Sequence, residues 1–223
     1  MRLVTYSNIG AREKNQDRVA HSILPNEDQL FILADGMGGY EAGEEAAEAA
    51  IDAIVASFSS VPDDVELAIQ KANLAIAEKG KSLGVAEMGC TIAAVLLHKE
   101  TVTIFWAGDS RVYLIRDNRI VFETEDHSLV NEMKKIRRLT PSQIRKYEHI
   151  VRRSLMGNLS DVVDVVEQDV LPGDEILICS DGFHKEMPLP FLLEKLRTED
   201  VFTIDNEKFI DNHSLIYLKL DSE

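Results

Sequence analysis

Apolar, strand-like runs in this chain repeatedly end on an aspartate, often with a glycine beside it. Ile32-Leu33-Ala34 leads into Asp35-Gly36, Ile178-Cys179-Ser180 into Asp181-Gly182, and Phe105-Trp106-Ala107-Gly108 into Asp109. Asp17 heads another such run in Asn15-Gln16-Asp17, and Asp211-Asn212 stands just before the last. A strand buries its side chains within a sheet and leaves its ends at the rim, so each carboxylate stands where a rigid frame can aim it. The adjacent glycines let backbone approach something closely. One Asp-Gly is ordinary turn chemistry. Five strand-end aspartates in one chain call for a common cause.

The remaining sequence supplies the frame. Apolar runs at 19–24 and 29–34 flank Pro25-Asn26-Glu27-Asp28 and read as a hairpin. Ala47, Ile51, Ile54 and Phe58 recur at three- or four-residue steps, as do Val65, Ile69, Ala72 and Ile76 behind Pro62-Asp63-Asp64. Each set predicts a helix with one core-facing stripe. Strands are expected at 90–97, 101–107, 111–115 and 120–122, the last two joined by an Asp117-Asn118 turn. A short helix is expected over 128–136, and Thr140-Pro141-Ser142-Gln143 spells a capping box with proline at the first helical position. Pro172-Gly173 turns the chain into a strand at 175–179, and a final strand is read at 214–220. Strands, a helix pair, then more strands predict an α+β domain of antiparallel sheet with helices packed outside. At 223 residues one core suffices, so residues 1–223 are expected to form a single domain.

Charge narrows the partners. Lys+Arg number 24 against 39 Asp+Glu, a net charge of −15, which disfavours nucleic acid or an anionic membrane and suits a protein that collects cations. The N-terminal Met1-Arg2-Leu3-Val4-Thr5-Tyr6 lacks the apolar run of a signal peptide. No stretch approaches the ~20 apolar residues of a bilayer span, so a cytoplasmic location is expected. Cys90 and Cys179 lie inside apolar runs and read as small buried hydrophobes, not a disulfide or a metal pair.

If the aspartates converge, they raise one another's pKa and strain the fold unless a cation intervenes. The set contains no cysteine or histidine, so all-oxygen ligation suits Mg²⁺ or Mn²⁺ and disfavours zinc and copper. Two such ions ~3.5–4 Å apart would acidify a shared water and steady phosphoryl oxygens in an in-line displacement. Other chemistries fit less well. Gly36-Met37-Gly38-Gly39 is followed by Glu41 where a dinucleotide fingerprint needs glycine, and no Gly-Lys-Ser/Thr follows. Gly108-Asp109-Ser110-Arg111-Val112 has valine where a nucleophile elbow needs its second glycine. The carboxylates are too scattered for an EF-hand.

An ordered series of motifs covers nearly the whole chain. It runs through Arg12-Glu13-Lys14-Asn15-Gln16-Asp17, Ala34-Asp35-Gly36-Met37-Gly38-Gly39, Gly89-Cys90-Thr91 and Ala107-Gly108-Asp109-Ser110-Arg111-Val112-Tyr113-Leu114. It continues with Asp126-His127-Ser128-Leu129-Val130, Pro172-Gly173-Asp174, Cys179-Ser180-Asp181-Gly182 and Asp211-Asn212-His213-Ser214. This series resembles the metal-dependent, type 2C serine/threonine protein phosphatases, with Asp-Gly-Met-Gly-Gly as in the bacterial branch. The resemblance implies a four-layer α-β-β-α sandwich, two antiparallel sheets face to face with helix pairs outside, and metals in a cleft at one end. It implies that Asp35 bridges two Mg²⁺ or Mn²⁺ ions. Asp17 and the Gly36 carbonyl would serve one ion, and Asp181 and Asp211 the other. Asp109, with Asp181, matches the site of a weaker third ion. Arg12 matches the arginine that grips substrate phosphate, a role suited to a planar, permanently charged fork. The implied activity is hydrolysis of phosphoserine and phosphothreonine in proteins by direct attack of a metal-bridging hydroxide, with no phosphoenzyme. The implied setting is a monomer opposing a serine/threonine kinase.

Some positions depart from the pattern. Met37 stands where eukaryotic relatives carry a histidine thought to protonate the leaving group, so water or the substrate's surroundings must supply that proton. Gln16 replaces an acidic residue of some relatives. His127 reads as a satisfied, partly buried histidine and not as a general acid. The segment from Asp181 to Asp211 is short for the family, so a helix there is expected to be reduced. Phe209-Ile210 replaces the glycines that commonly precede the last aspartate. Asp205-Asn206 competes with Asp211-Asn212 to close the site; the strand-like Ser214-Leu215-Ile216-Tyr217-Leu218 behind Asp211 favours the latter. Two rival readings share the scaffold. One is a pseudophosphatase that binds phosphoproteins without turnover, which intact Asp17, Asp35 and Asp181 disfavour. The other is a small-metabolite phosphatase with a different rim.

Overall fold

The computed structural model describes residues 1–37, 42–61, 64–198 and 209–221. Among them, ten strands form two five-stranded antiparallel sheets. One sheet runs β2 (Asp17–Ile23), β3 (Gln29–Asp35), β4 (Ile92–His98), β5 (Thr101–Ala107), β8 (Asp164–Asp169). The other runs β1 (Arg2–Asn8), β10 (His213–Lys219), β9 (Glu175–Cys179), β6 (Arg111–Arg116), β7 (Arg119–Glu123). The helices are α1 (Gly43–Ser60), α2 (Val65–Leu83), α3 (Leu129–Ile136), α4 (Pro141–Tyr147), α5 (Asp181–Glu186) and α6 (Leu189–Arg197).

Two-residue alternation sorts the central strands' side chains into three apolar layers. Phe31 and Leu33 of β3, Val95 of β4 and Ile104 of β5 meet Val112, Ile178 and Ile216 of the other sheet. The reverse face of the first sheet carries Ile32 and Ala94 against Ala46, Ala50 and Ile54 of α1 and Ile69 and Ile76 of α2. The reverse face of the second carries Leu177, Leu215 and Tyr217 against Phe183 of α5 and Leu192 and Leu196 of α6. This is the expected four-layer α-β-β-α sandwich. A strand covered on both faces shows as an unbroken apolar run, which is why β3, β4 and β9 are plain in the sequence.

Local signals behave as read. Asp64 accepts from the Leu67 amide at 2.9 Å and starts α2. Thr140 and Gln143 complete the capping box of α4. Asp117 and Asn118 both take positive φ, 51° and 61°, in the tight turn joining β6 to β7. Cys90 falls outside β4 and forms isolated bridges to Gly36 and Leu155. Four elements are additional to the sequence reading: β1, β8, α5 and α6. The short Asp181–Asp211 segment holds two helices of six and nine residues. Pro62-Asp63, Gly38-Gly39, Glu41 and Asp205-Asn206 lie outside the described residues.

Candidate metal centre

Antiparallel pairing of β2 with β3 sets Asp17 directly opposite Asp35. Asp109 sits at the corner between β5 and β6, Asp181 opens α5 directly after β9, and Asp211 precedes β10. Asp35, Asp109, Asp181 and Asp211 line one cleft of about 590 Å³, with Arg12 at its edge and Gly36, Met37 and Thr91 in its wall. Asp17 lies behind them, 1% exposed. All five strand-end aspartates therefore gather at one end of the sandwich, as expected.

Their electrostatics differ. One Asp17 oxygen accepts from the Ser180 hydroxyl at 2.8 Å, while the other is buried with no partner among the described residues. Burial, aided by the Asp181 charge, pushes the Asp17 carboxyl up to about 6, with the nearby Ser214 and Ser180 opposing. Burial likewise raises Asp35 well above the usual carboxylate range, and Asp17, Asp181, Asp109 and Asp211 all push the same way. Asp109 is raised by burial and then by Asp181, with Lys185 opposing. An orphaned carboxylate oxygen and mutually repelling acids carry an energetic penalty that a hard cation relieves. Oxygen-only donors suit Mg²⁺ or Mn²⁺. These residues fit such an ion.

Two cations of the chain already engage the outer acids. Arg12 Nε and Nη2 donate to the two Asp211 oxygens at 2.9 and 2.7 Å, a forked pair. Lys185 Nζ donates at 2.8 Å to Asp109 Oδ2 and at 2.8 Å to Asp181 Oδ2. Among the described residues, no three acid, histidine or cysteine side chains stand as a group that could hold a metal ion as they lie.

The surrounding chain explains the placement. A Cβ on Gly36 would meet the Gly43 carbonyl oxygen at 2.3 Å, so only glycine lets the backbone beyond Asp35 pass. Thr91 braces Asp35, donating its amide to the Asp35 carbonyl at 2.8 Å and accepting the Asp35 amide at 3.3 Å. Asn212 accepts from the Gln16 amide and donates to the Ile9 and Lys14 carbonyls, tying the Arg12 loop to the start of β10. Glu186 accepts the Ile210 and Asp211 amides; it takes over the local support where the family commonly has glycines. His127 stacks on Trp106. Its Nδ1 accepts the Gly108 amide, leaving Nε2 to donate to Asp164. Burial lowers its pKa. It is the satisfied histidine the sequence suggested.

Lys185, Glu186 and His149 escaped the sequence reading. The first two sit on α5, and an Asp181–Lys185 spacing of i,i+4 signals contact only once a helix is known. His149, with Ile150 and Val151, lines the cleft from a segment distant in sequence from the five strand-end aspartates but close to them in space.

The Protein phosphatase 2C family pattern matches residues 5–212. The chain belongs to this family. It is similar to Protein phosphatase PhpP of Streptococcus pneumoniae, 31% identical over 182 residues spanning 77% of this chain and 74% of that one. Its fold is similar to that of the S. agalactiae serine/threonine phosphatase, with a TM-score of 0.85, 27% identity and coverage of 100% and 99%. It is also similar to the catalytic domain of serine threonine protein phosphatase PstP in complex with 2 manganese ions, with a TM-score of 0.79, 27% identity and coverage of 99% and 98%. Of the full-length PstP of Mycobacterium tuberculosis the match spans 35%. Membership in the type 2C family makes the chain a metal-dependent phosphatase using Mg²⁺ or Mn²⁺. No helix among the described residues is long and apolar enough to cross a membrane.

Proposed function

We propose that this chain hydrolyses phosphoserine and phosphothreonine in proteins, using two Mg²⁺ or Mn²⁺ ions held by Asp17, Asp35, the Gly36 carbonyl, Asp181 and Asp211. The carrying observation is Asp17 facing Asp35 across the β2–β3 ladder, with one buried Asp17 oxygen unpaired. Bound ions would supply an acidified water and offset charge on the phosphoryl oxygens.

This chain's own residues do the remaining work. Asp35 feels the charge of all four other aspartates, which suits it to the shared position. Thr91 and the β3 ladder hold it rigid. The half-exposed Arg12 guanidinium can exchange the Asp211 carboxylate for a phosphate, since its fork fits either oxyanion. Met37, in the cleft wall, has no proton to give, so the departing alkoxide takes one from water or the substrate's surroundings.

One observation favours protein over metabolite substrates. Residues 129–153 contain eight Lys or Arg and two Glu, a local 8 − 2 = +6 in a chain of net −15. This segment reaches the cleft through His149, Ile150 and Val151, while its Lys135, Arg152 and Arg153 pair with Glu125, Glu132 and Asp164. A net-positive segment beside the cleft complements an extended acidic phosphopeptide better than a compact sugar phosphate. In this reading one catalytic domain acts as a monomer opposite a serine/threonine kinase.

The test is an assay on phosphothreonine peptides with acidic or neutral flanks, alongside sugar and nucleotide phosphates, each with Mn²⁺ and with EDTA. Mn²⁺-dependent release from peptides, faster with acidic flanks, is expected. Full turnover in EDTA would overturn the metal reading. Preference for sugar or nucleotide phosphates would revive the metabolite reading, and Mn²⁺ binding without turnover the pseudophosphatase.

A further inference from the structure

We propose that Lys185 is a built-in cation of the site: its ammonium holds the position between Asp109 and Asp181 and excludes a third divalent ion there. The inference rests on the metal-dependent reading of the cleft and concerns the one part of it where a side chain already does a cation's work. Asp109 and Asp181 come from different sheets' ends, the β5–β6 corner and the start of α5. Both face the cleft, and Asp109 is almost wholly buried, 3% exposed. Two such carboxylates aimed at one point need a positive charge between them. The Lys185 ammonium supplies it, 2.8 Å from an oxygen of each.

The arrangement is held from several sides. Because α5 begins at Asp181, Lys185 falls one helical turn on, and its side chain reaches back over the first turn to Asp181 Oδ2. Its neighbour His184 donates Nε2–H to the Asp109 carbonyl at 2.7 Å, pinning the corner that carries Asp109. Lys185 is a compact point charge with three donors; two go to these carboxylates. A divalent ion shared by these two carboxylates would need their oxygens at roughly 2.0–2.6 Å, and one oxygen of each, Oδ2, already accepts from the ammonium. The lysine is also tethered. Its competition with a free ion is therefore intramolecular. Asp181 keeps its other oxygen for the neighbouring ion.

The count of bound ions tests this. Mn²⁺ binding is measured by isothermal titration and by equilibrium dialysis with metal analysis, on the wild type, Lys185→Ala and Lys185→Met. Folding of each variant is checked by circular dichroism. The wild type is expected to saturate at two ions per chain, and a folded Lys185 variant to gain a third, weaker one. Adding Asp109→Asn to Lys185→Ala should return the count to two. Three ions on the wild type, or an unchanged count in both Lys185 variants, would overturn the role of Lys185 while leaving the metal-dependent reading intact. A third ion that persists in the double variant would overturn its placement. Absence of Mn²⁺ binding by every protein would overturn both readings.

Discussion

Arg12 and Asp211 each carry a functional group that the other occupies. The guanidinium suited to phosphate is forked onto the carboxylate suited to metal. Both side chains are substantially exposed, 51% and 35%, so the pair is worth only ~0.2–1 kcal/mol. Arg12→Ala should therefore move two quantities in opposite directions. KM for a phosphothreonine peptide should rise ~10-fold or more, because a charged, bidentate contact to phosphate is lost. Mn²⁺ affinity at the weaker of the two sites, measured without substrate, should improve by up to about 5-fold, because Asp211 is released. Steady-state kinetics and calorimetric titration read the two effects separately. An unchanged KM would return Arg12 to the ordinary surface. A weakened Mn²⁺ affinity would mean that Arg12 orients Asp211 for the ion and does not compete with it.

The elements show where periodicity is a reliable guide and where it fails. Helix α1 is legible because Ala47, Ile51, Ile54 and Phe58 mark one face, and that face lies on the sheet. Ala46 and Ala50 beside them are fully buried; their small size lets the helix sit close to β3. Ile54→Ala leaves a cavity that this packed layer refills only partly, and should cost ~2–5 kcal/mol in urea unfolding followed by the fluorescence of the sole tryptophan, Trp106. Mn²⁺ stoichiometry in the folded variant should not change, since Ile54 touches no ligand. A loss below ~1 kcal/mol would show that α1 contributes little to the core. Strand β8 failed the same test of periodicity. Its Asp164-Val165-Val166-Glu167-Gln168-Asp169 is an edge strand, largely exposed, and its polarity reflects water on one side. Strand β1 is also an edge, and half-buried. Helix α5 was hidden because Asp181-Gly182 reads locally as a turn, and six residues are too few to display a helical period.

At the scale of the molecule, the aspartate cluster links stability to pH and metal. Burial raises the folded-state Asp17 pKa from 3.8 to about 6. A carboxyl with a raised folded pKa adds stability that is fully present below pH 3.8 and is lost as pH climbs through about 6. Buried His184, lowered to about 4 chiefly by desolvation, works in the opposite direction, as do His127 and His213. The net pH profile of the wild type therefore mixes signs, and a comparison with an Asp17 variant removes the histidines. In EDTA, Asp17→Asn should gain stability relative to the wild type as pH rises from 5 to 7.5, by on the order of 1 kcal/mol from Asp17 itself, and further because the variant lacks the Asp17 charge that raises Asp35. At pH 7.5, added Mn²⁺ should then stabilise the wild type more than the variant. A stability gap independent of pH would remove Asp17 as the buried, orphaned ligand.

The sequence by itself determined the layers and the chemistry. Unbroken apolar runs marked the doubly covered strands, and the helical stripes marked the outer layer over the first sheet. Carboxylates at the ends of those strands could meet at a rim, and the ordered series of motifs implied that they do so at one end of a sandwich. The elements rest on local periods and residue types, which any linear reading can follow; the shared cleft rested on the resemblance. What the tertiary structure alone decided was who answers each charge. Lys185 meets Asp109 across 76 residues, Arg12 meets Asp211 across 199, and Asn212 ties down Gln16 across 196. Such pairings depend on how two sheets and a short helix are brought together, and no local pattern encodes them. Coulombic attraction acts through space between side chains that packing has already placed, so its partners become visible only once the fold has formed.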